Sequence, residues 1–316
     1  MKTFLIMLVV LLSALPVWAV GSSDTVTTST KDESTNPTTT ESSSSLVQLF
    51  DVGSVDWEKG LVTAIGYAAV DIKMENTTQA ELMARRGAEV VARRNLLEIV
   101  GKVNIDSRTT VNNLMLESDA LSSWVKGCIE GSYITRTWQE GEAFYVEVCM
   151  PMFGLPGQEK GTSPSGGDSK PLAPGVLDAE KKKLEEAGIV PKEATKEEIS
   201  QVNPKDISKY TGLVIDATGL GAAPGLAPNI VDETGEVIIN ATDLDSEYSG
   251  MAVLMRYSKS LEAAKKEVGD NPAVVKATEL SKDGAIVVDK QSGGFLKALK
   301  KLGGWIFQSG LLAMLL

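Results

Sequence analysis

The chain has 316 residues, with 42 acidic side chains against 31 basic ones, a net charge of -11 and no histidine. That length allows one large or two modest domains, enough for a sizeable core. The missing histidine removes Ser-His-Asp and Cys-His nucleophile systems and the commonest ligand of catalytic zinc. A pI near 4.8 leaves no domain-wide basic field to release counterions from phosphates, which excludes a nucleic-acid partner.

Residues 1–19 have the pattern of a cleavable secretory signal. Lys2 supplies the positive start, 4–15 an apolar stretch too short to span a bilayer, and Val17 and Ala19 the small residues before the cut. Residues 20–46, rich in Ser and Thr, cannot bury enough apolar surface to offset ordering entropy and are expected to be a tether. No cysteine stands at the cleavage point, so acyl anchoring is not expected.

The first folded unit is expected over 47–153. It opens with a strand at 61–66, with Trp57 before it as a core anchor. Thr77 or Thr78 is expected to cap a long helix reaching Val100, with Glu81 completing a capping box. Ala84, Ala88, Val91, Ala92, Leu96 and Ile99 form its apolar stripe. Arg85, Arg86, Arg93 and Arg94, interleaved with Glu89 and Glu98, read as a solvated face rather than a phosphate site. Residues 103–111 are a strand or extended loop, and 114–125 a shorter helix with a break at Ser118-Asp119. A hairpin over 133–150 turns at Glu140-Gly141. Pairing Gln139 with Glu142 places Ser132 opposite Cys149 and leaves Cys128 roughly 13 Å off, against a disulfide unless a bulge intervenes. The order predicts an α+β fold: a long helix packed on a small antiparallel sheet, followed by a second β-rich domain.

Residues 154–209 read as a linker with two charged helical segments, 176–187 and 195–202. Neither has a wide apolar face, so both are expected on the surface. The β-rich unit, 210–292, should hold strands at 212–217, 227–231, 236–239, 251–255, 273–280 and 285–288, and a helix at 261–268. Gly219-Leu220-Gly221 lacks the remaining glycine of a dinucleotide loop and meets Pro224 where the phosphate-binding helix would begin; it reads as a chain turn. Asp216, Asp232 and Glu233 could be drawn as paired carboxylates, but two of the three belong to a turn.

Gly60-Leu61-Val62-Thr63-Ala64-Ile65-Gly66, then Ala84-Arg85-Arg86-Gly87-Ala88 and Arg94-Asn95-Leu96-Leu97-Glu98, resemble the Lpp-twenty lipoprotein family, as do Glu130-Gly131-Ser132 and the strand from Tyr145 to Pro151. That family is related to the flagellar accessory lipoprotein FlgP and the N-terminal domain of FlgT. The resemblance covers about 47–153. It implies a compact α/β unit that assembles at the flagellar motor or outer membrane, with no enzymatic residues to carry over. The segments around 210–217 and 226–237 look like a stretch that accompanies such domains in exported bacterial proteins.

These readings combine into an exported, non-enzymatic envelope assembly protein without catalytic, metal-binding or cofactor-binding residues. It is expected as a homo-oligomer with flagellar or other envelope proteins as partners, in the periplasm, at the outer membrane or on the bacterial surface. The alternative is a membrane-associated binding protein acting through 293–316. There Phe295, Leu299 and Leu302 share a helical face, Lys297, Lys300 and Lys301 lie mostly off it, and 305–316 is apolar. Those last twelve residues cannot span about 30 Å of hydrocarbon as a helix. An amphipathic tail with an exposed apolar face, making peripheral membrane contact or associating with itself, is the expected outcome.

Overall fold

The computed structural model describes residues 46–74, 76–153, 169–244, 253–308 and 310–316. The signal sequence expected at 1–19, nearly all of the tether expected at 20–46 and 154–168 of the expected linker lie outside the described residues. Leu46, at the end of the tether, is already buried, and its carbonyl accepts from Trp57 N at 2.8 Å.

Strands β1 (Val47–Phe50), β2 (Gly53–Asp56) and β3 (Leu61–Ala69) form an antiparallel meander. Helix α1 (Thr77–Gly101) then runs back across it. Its N-cap is Asn76, whose side chain accepts from Gln79 N at 3.0 Å, in place of the expected Thr77 or Thr78; Glu81 completes no box. Asn is as good a cap as Thr and satisfies the N3 amide of a helix that starts one residue earlier. The buried stripe begins at Ala80 and includes Ala84, Ala88, Ala92, Leu96 and Ile99, while Val91 is only half-buried. Small side chains let α1 sit close to β3: at Gly66, a Cβ would run into the backbone of Ala88 and Ala92.

Helices α2 (Val111–Glu117) and α3 (Asp119–Glu130) meet at Ser118, whose hydroxyl caps α3. The hairpin β4 (Tyr133–Glu140) and β5 (Ala143–Pro151) completes a sheet of order β1-β2-β3-β5-β4. Its turn is Gly141-Glu142, not Glu140-Gly141, so Glu140 pairs with Ala143. A bulge between Ile134 and Arg136 then brings Tyr133, not Ser132, opposite Cys149. Cys128 and Cys149 are buried free thiols.

Helix α4 (Ala173–Glu186) departs most from expectation. It buries Ala173, Val176, Leu177, Glu180 and Leu184 against α2, α3 and a 3₁₀ turn at Ala241–Asp243, instead of lying on the surface. The short helices α5 (Lys196–Ser200) and α6 (Pro204–Ile207) follow; α5 buries none of its residues, and Thr195 with Glu198 forms its capping box.

The second sheet is mixed, with order β8-β7-β11-β10-β6-β12-β9. Its members are β6 (Leu213–Asp216), β7 (Ile230–Asp232), β8 (Val237–Ile239), β9 (Arg256–Ser258), β10 (Ala273–Leu280), β11 (Ile286–Val288) and β12 (Leu312–Leu315), with α7 (Leu261–Val268) after β9. Of the strand expected at 251–255, residues 251–252 lie outside the described residues, and Val253, Leu254 and Met255 are buried but belong to no strand; β9 begins just after them. A run of apolar residues signals burial, not pairing.

The C-terminal segment 293–316 is not an exposed amphipathic tail. Helix α8 (Lys290–Leu302) buries Leu296, Ala298 and Leu299, and α9 (Gly304–Gln308) leads to β12. That strand lies between β6 and β9, parallel to both, with all four residues buried. Its unbroken apolar run is the pattern of a strand covered on both faces.

The two sheets share one continuous buried cluster. The 103–110 loop reaches from the first to the second: Leu226 N donates to Asn104 O (2.9 Å) and Ala227 N to Ile105 O (2.7 Å). Trp57 meets the edge of Tyr257, with ring centroids 5.7 Å apart, and Arg256 stands over Phe153.

Candidate functional site

The acidic residues that sequence reasoning weighed are turn-formers. Asp216 Oδ1 accepts from Thr218 N at 3.1 Å, and bonds from Thr218 hold its carboxyl below the usual range. Burial works to raise Asp232, but bonds from Thr234 and Glu236 outweigh it and hold that carboxylate low. Strands β6 and β7 are three positions apart, roughly 14 Å at strand spacing, so Asp216 and Asp232 form no catalytic pair. Gly219 and Gly221 both have positive φ, as a chain turn requires. Arg85, Arg86 and Arg94 are exposed on α1, whereas Arg93 is half-buried, pairs with Glu89 at 3.0 Å, donates to Ser132 O at 3.4 Å and has its Nε shut off from solvent. Burial pushes the Cys128 thiol up to about 12 and raises that of Cys149, the opposite of an activated thiol. Among the described residues, no three acidic, Cys or His side chains converge as a metal site, and no helix is long and apolar enough to cross a membrane.

The lysines of 293–316 are structural. Lys297 is almost fully buried and pairs with Glu236, with Glu198 3.5 Å away; Lys300 bonds Asp243 (2.8 Å) and the carbonyl of Ile238 (2.9 Å). Bonds from Lys192 and Lys297 hold Glu236 below its ordinary range. This network fixes α8 to the β7–β8 end of the sheet.

The first sheet has two unlike faces. Val62, Ala64, Gly66, Val146, Val148 and Met150 point to α1 and are buried. The alternate residues point away from α1; of these Cys149 is buried, while Tyr67 toward the other end of the strands is exposed. Register aligns Tyr67, Tyr145 and Trp138 across β3, β5 and β4. Trp138 stacks on Tyr145 (centroids 5.1 Å, 8° between planes), Tyr67 adjoins Tyr145 at 5.7 Å, and the Arg136 guanidinium lies 4.2 Å from the Trp138 ring. Tyr67 is 63% exposed, and Leu49, on the same face, is 79% exposed. Thr135, the bulge residue, donates to Glu147 Oε1 at 2.6 Å and sets that carboxylate beside Arg136. Such a row stabilises a sheet by cross-strand packing, and it also presents apolar and aromatic edges to solvent. Sequence reading missed it because it depends on register across three strands, which the bulge alters.

Residues 212–302 match the family described as Treponema pallidum Tp0624, second domain. The match takes in the second sheet from its first strand through α8 and stops before β12. Comparison with curated proteins finds no match to the chain.

Proposed function

We propose that this chain is an exported, non-enzymatic assembly protein of the bacterial envelope, and that it self-associates through the face of its first sheet turned away from α1. The observation that carries this reading is the Arg136–Trp138–Tyr145–Tyr67 row, with Arg136 and Tyr67 exposed and Trp138 and Tyr145 half-buried, and with exposed Leu49 on the same face. A chain of net charge -11 repels its own copies over most of its surface. This face is apolar and carries both signs side by side, Arg136 next to Glu147, so two copies meet there at least electrostatic cost and with the self-complementarity a two-fold interface needs. The Lpp-twenty resemblance over 47–153 supports an envelope setting, with flagellar or other envelope proteins as further partners, and the likeness of 212–302 to a Treponema domain agrees with a bacterial source. The alternative of a membrane-binding tail loses its support, since the apolar residues of 293–316 are largely inside the second sheet.

The test is light scattering and in-cell crosslinking of the mature protein beside a Tyr67→Ala, Trp138→Ala variant. The expected result is an oligomer that the variant dissociates, with its circular dichroism unchanged. A wild-type protein that stays monomeric and crosslinks to nothing in the envelope would overturn the reading.

A further inference from the structure

Glu180 sits on the buried side of α4, 3% exposed, and its Oε2 is shut off from solvent with no hydrogen-bond partner. A buried carboxylate without a donor is among the costliest groups a core can hold. The charge nearest in effect makes matters worse: Asp106, on the 103–110 loop, raises the Glu180 proton affinity. Asp106 itself is committed, since Oδ1 accepts from Arg108 N (2.8 Å) and Thr109 N (2.7 Å), and Oδ2 accepts from Asn229 Nδ2 (2.9 Å). This loop carries the bonds that join the first sheet to the second. Helix α4 itself packs on α2 and α3 of the first half and on the 3₁₀ turn of the second, so a change of charge on Glu180 reaches the seam of the molecule.

Of Asp106, Lys183 and Glu117, Lys183 alone works against this rise, more weakly than Asp106 promotes it, and Glu117 adds to it. Lys183, one turn along, is engaged by Glu117 of α2 at 2.7 Å. The 3₁₀ turn contributes Asp243, which is taken by Lys300. Lys181 points to the carbonyl of Leu244 (2.8 Å), and Asp178 is exposed. From α3, Trp124 meets Gly175, and the Cys128 thiol meets Pro171 O, while Asp119, Lys126 and Glu130 are exposed.

We propose that Glu180 is a proton-operated latch: a neutral Glu180 lets α4 seat against α2, α3 and the 3₁₀ turn, and its ionisation, with Oε2 left without a donor and Asp106 opposing it, loosens α4 and the junction that it bridges between the two halves. Burial first and Asp106 second push the Glu180 carboxyl up to about 7, so the latch works near neutrality. The sign follows from linkage. The folded state holds the proton more tightly than the unfolded one, so its stabilising effect is complete below the ordinary carboxylate range and is lost as pH rises through about 7.

Urea unfolding of the full chain across pH 4.5–8.5, for wild type and Glu180→Gln, tests this. The unfolding constant of the wild type, relative to the variant, should climb by up to about tenfold per pH unit below neutrality and then level off, the slope of one proton. Equal slopes in the two proteins would overturn the proposal. Carbon-13 titration of the Glu180 carboxyl in the wild type gives an independent reading that needs no variant. A midpoint near neutrality is expected, and one in the ordinary carboxylate range would sink the latch.

Discussion

At the scale of single residues, the seam is held by a few polar contacts that each use their capacity fully. Tyr257 is buried, and its hydroxyl both accepts from Gly225 N (2.9 Å) and donates to Gly225 O (2.7 Å). Gly225 has to be glycine because a Cβ there would come within 2.8 Å of Ile105 O. Removing the hydroxyl leaves a buried donor and a buried acceptor unpaired, while the ring still meets Trp57. Tyr257→Phe is therefore expected to lower stability by about 1–3 kcal/mol, the cost of orphaning buried backbone groups. Denaturant melts with an unchanged m-value would register it; a loss below a few tenths of a kcal/mol would mean that water replaces the hydroxyl.

At the scale of elements, the sequence was readable wherever local signals and the tertiary answer agree. The hairpin β4–β5, the break between α2 and α3 at Ser118, the helix α7 and the β7–β8 turn all follow from caps, glycines and alternation. Besides the α1 cap, the hairpin turn and the strand expected at 251–255, α4 and β12 depart from the sequence reading for reasons that can be named. In α4 the stripe Ala173, Val176, Leu177, Leu184 is interrupted by Glu180, a charged residue doing an apolar residue's spatial job, so the helix looked like a surface one. In β12 four apolar residues at the end of the chain have no alternation, and nothing local tells a buried parallel strand from a membrane-seeking segment. The candidate site was legible only in part: Tyr145 was placed on a strand, but its partners come from Tyr67 and Trp138 through register. The position of β12 leads to a prediction. Deleting 311–316 removes the strand that bridges β6 and β9, and with it the burial of Leu312, Met314 and Leu315. At about 1.5–3 kcal/mol per buried large side chain, the loss rivals the whole stability of an ordinary domain. The truncated protein is expected to lose the cooperative melt of the second sheet, seen by near-ultraviolet circular dichroism. A folded, soluble truncation would restore the reading of this segment as a peripheral tail.

At the scale of the whole molecule, the question is whether two sheets with different architectures unfold as two bodies or one. Each has its own topology, one wholly antiparallel and one mixed, and the matched family covers only the second. That would suit independent domains joined by a linker. The contacts say otherwise. The Trp57–Tyr257 ring pair, the Asp106–Asn229 bond, the backbone pair from 104–105 to 226–227 and the surface ion pair Arg108–Asp283 (2.9 Å) all cross the seam. One buried cluster runs through both sides, from Val62 and Leu96 to Leu213 and Ile286. Opening either half would expose apolar surface that the other half covers, and that shared cost makes unfolding cooperative. Calorimetry of the protein near pH 6, where the proton on Glu180 is retained, should give a single transition with calorimetric and van't Hoff enthalpies in agreement. Two resolved transitions at that pH would show the sheets to be separable bodies. Raising the pH to about 8.5 should broaden or split the single transition, because the ionised latch weakens the seam while each sheet keeps its own hydrogen-bonded ladder; in Glu180→Gln the transition should stay single at both pH values.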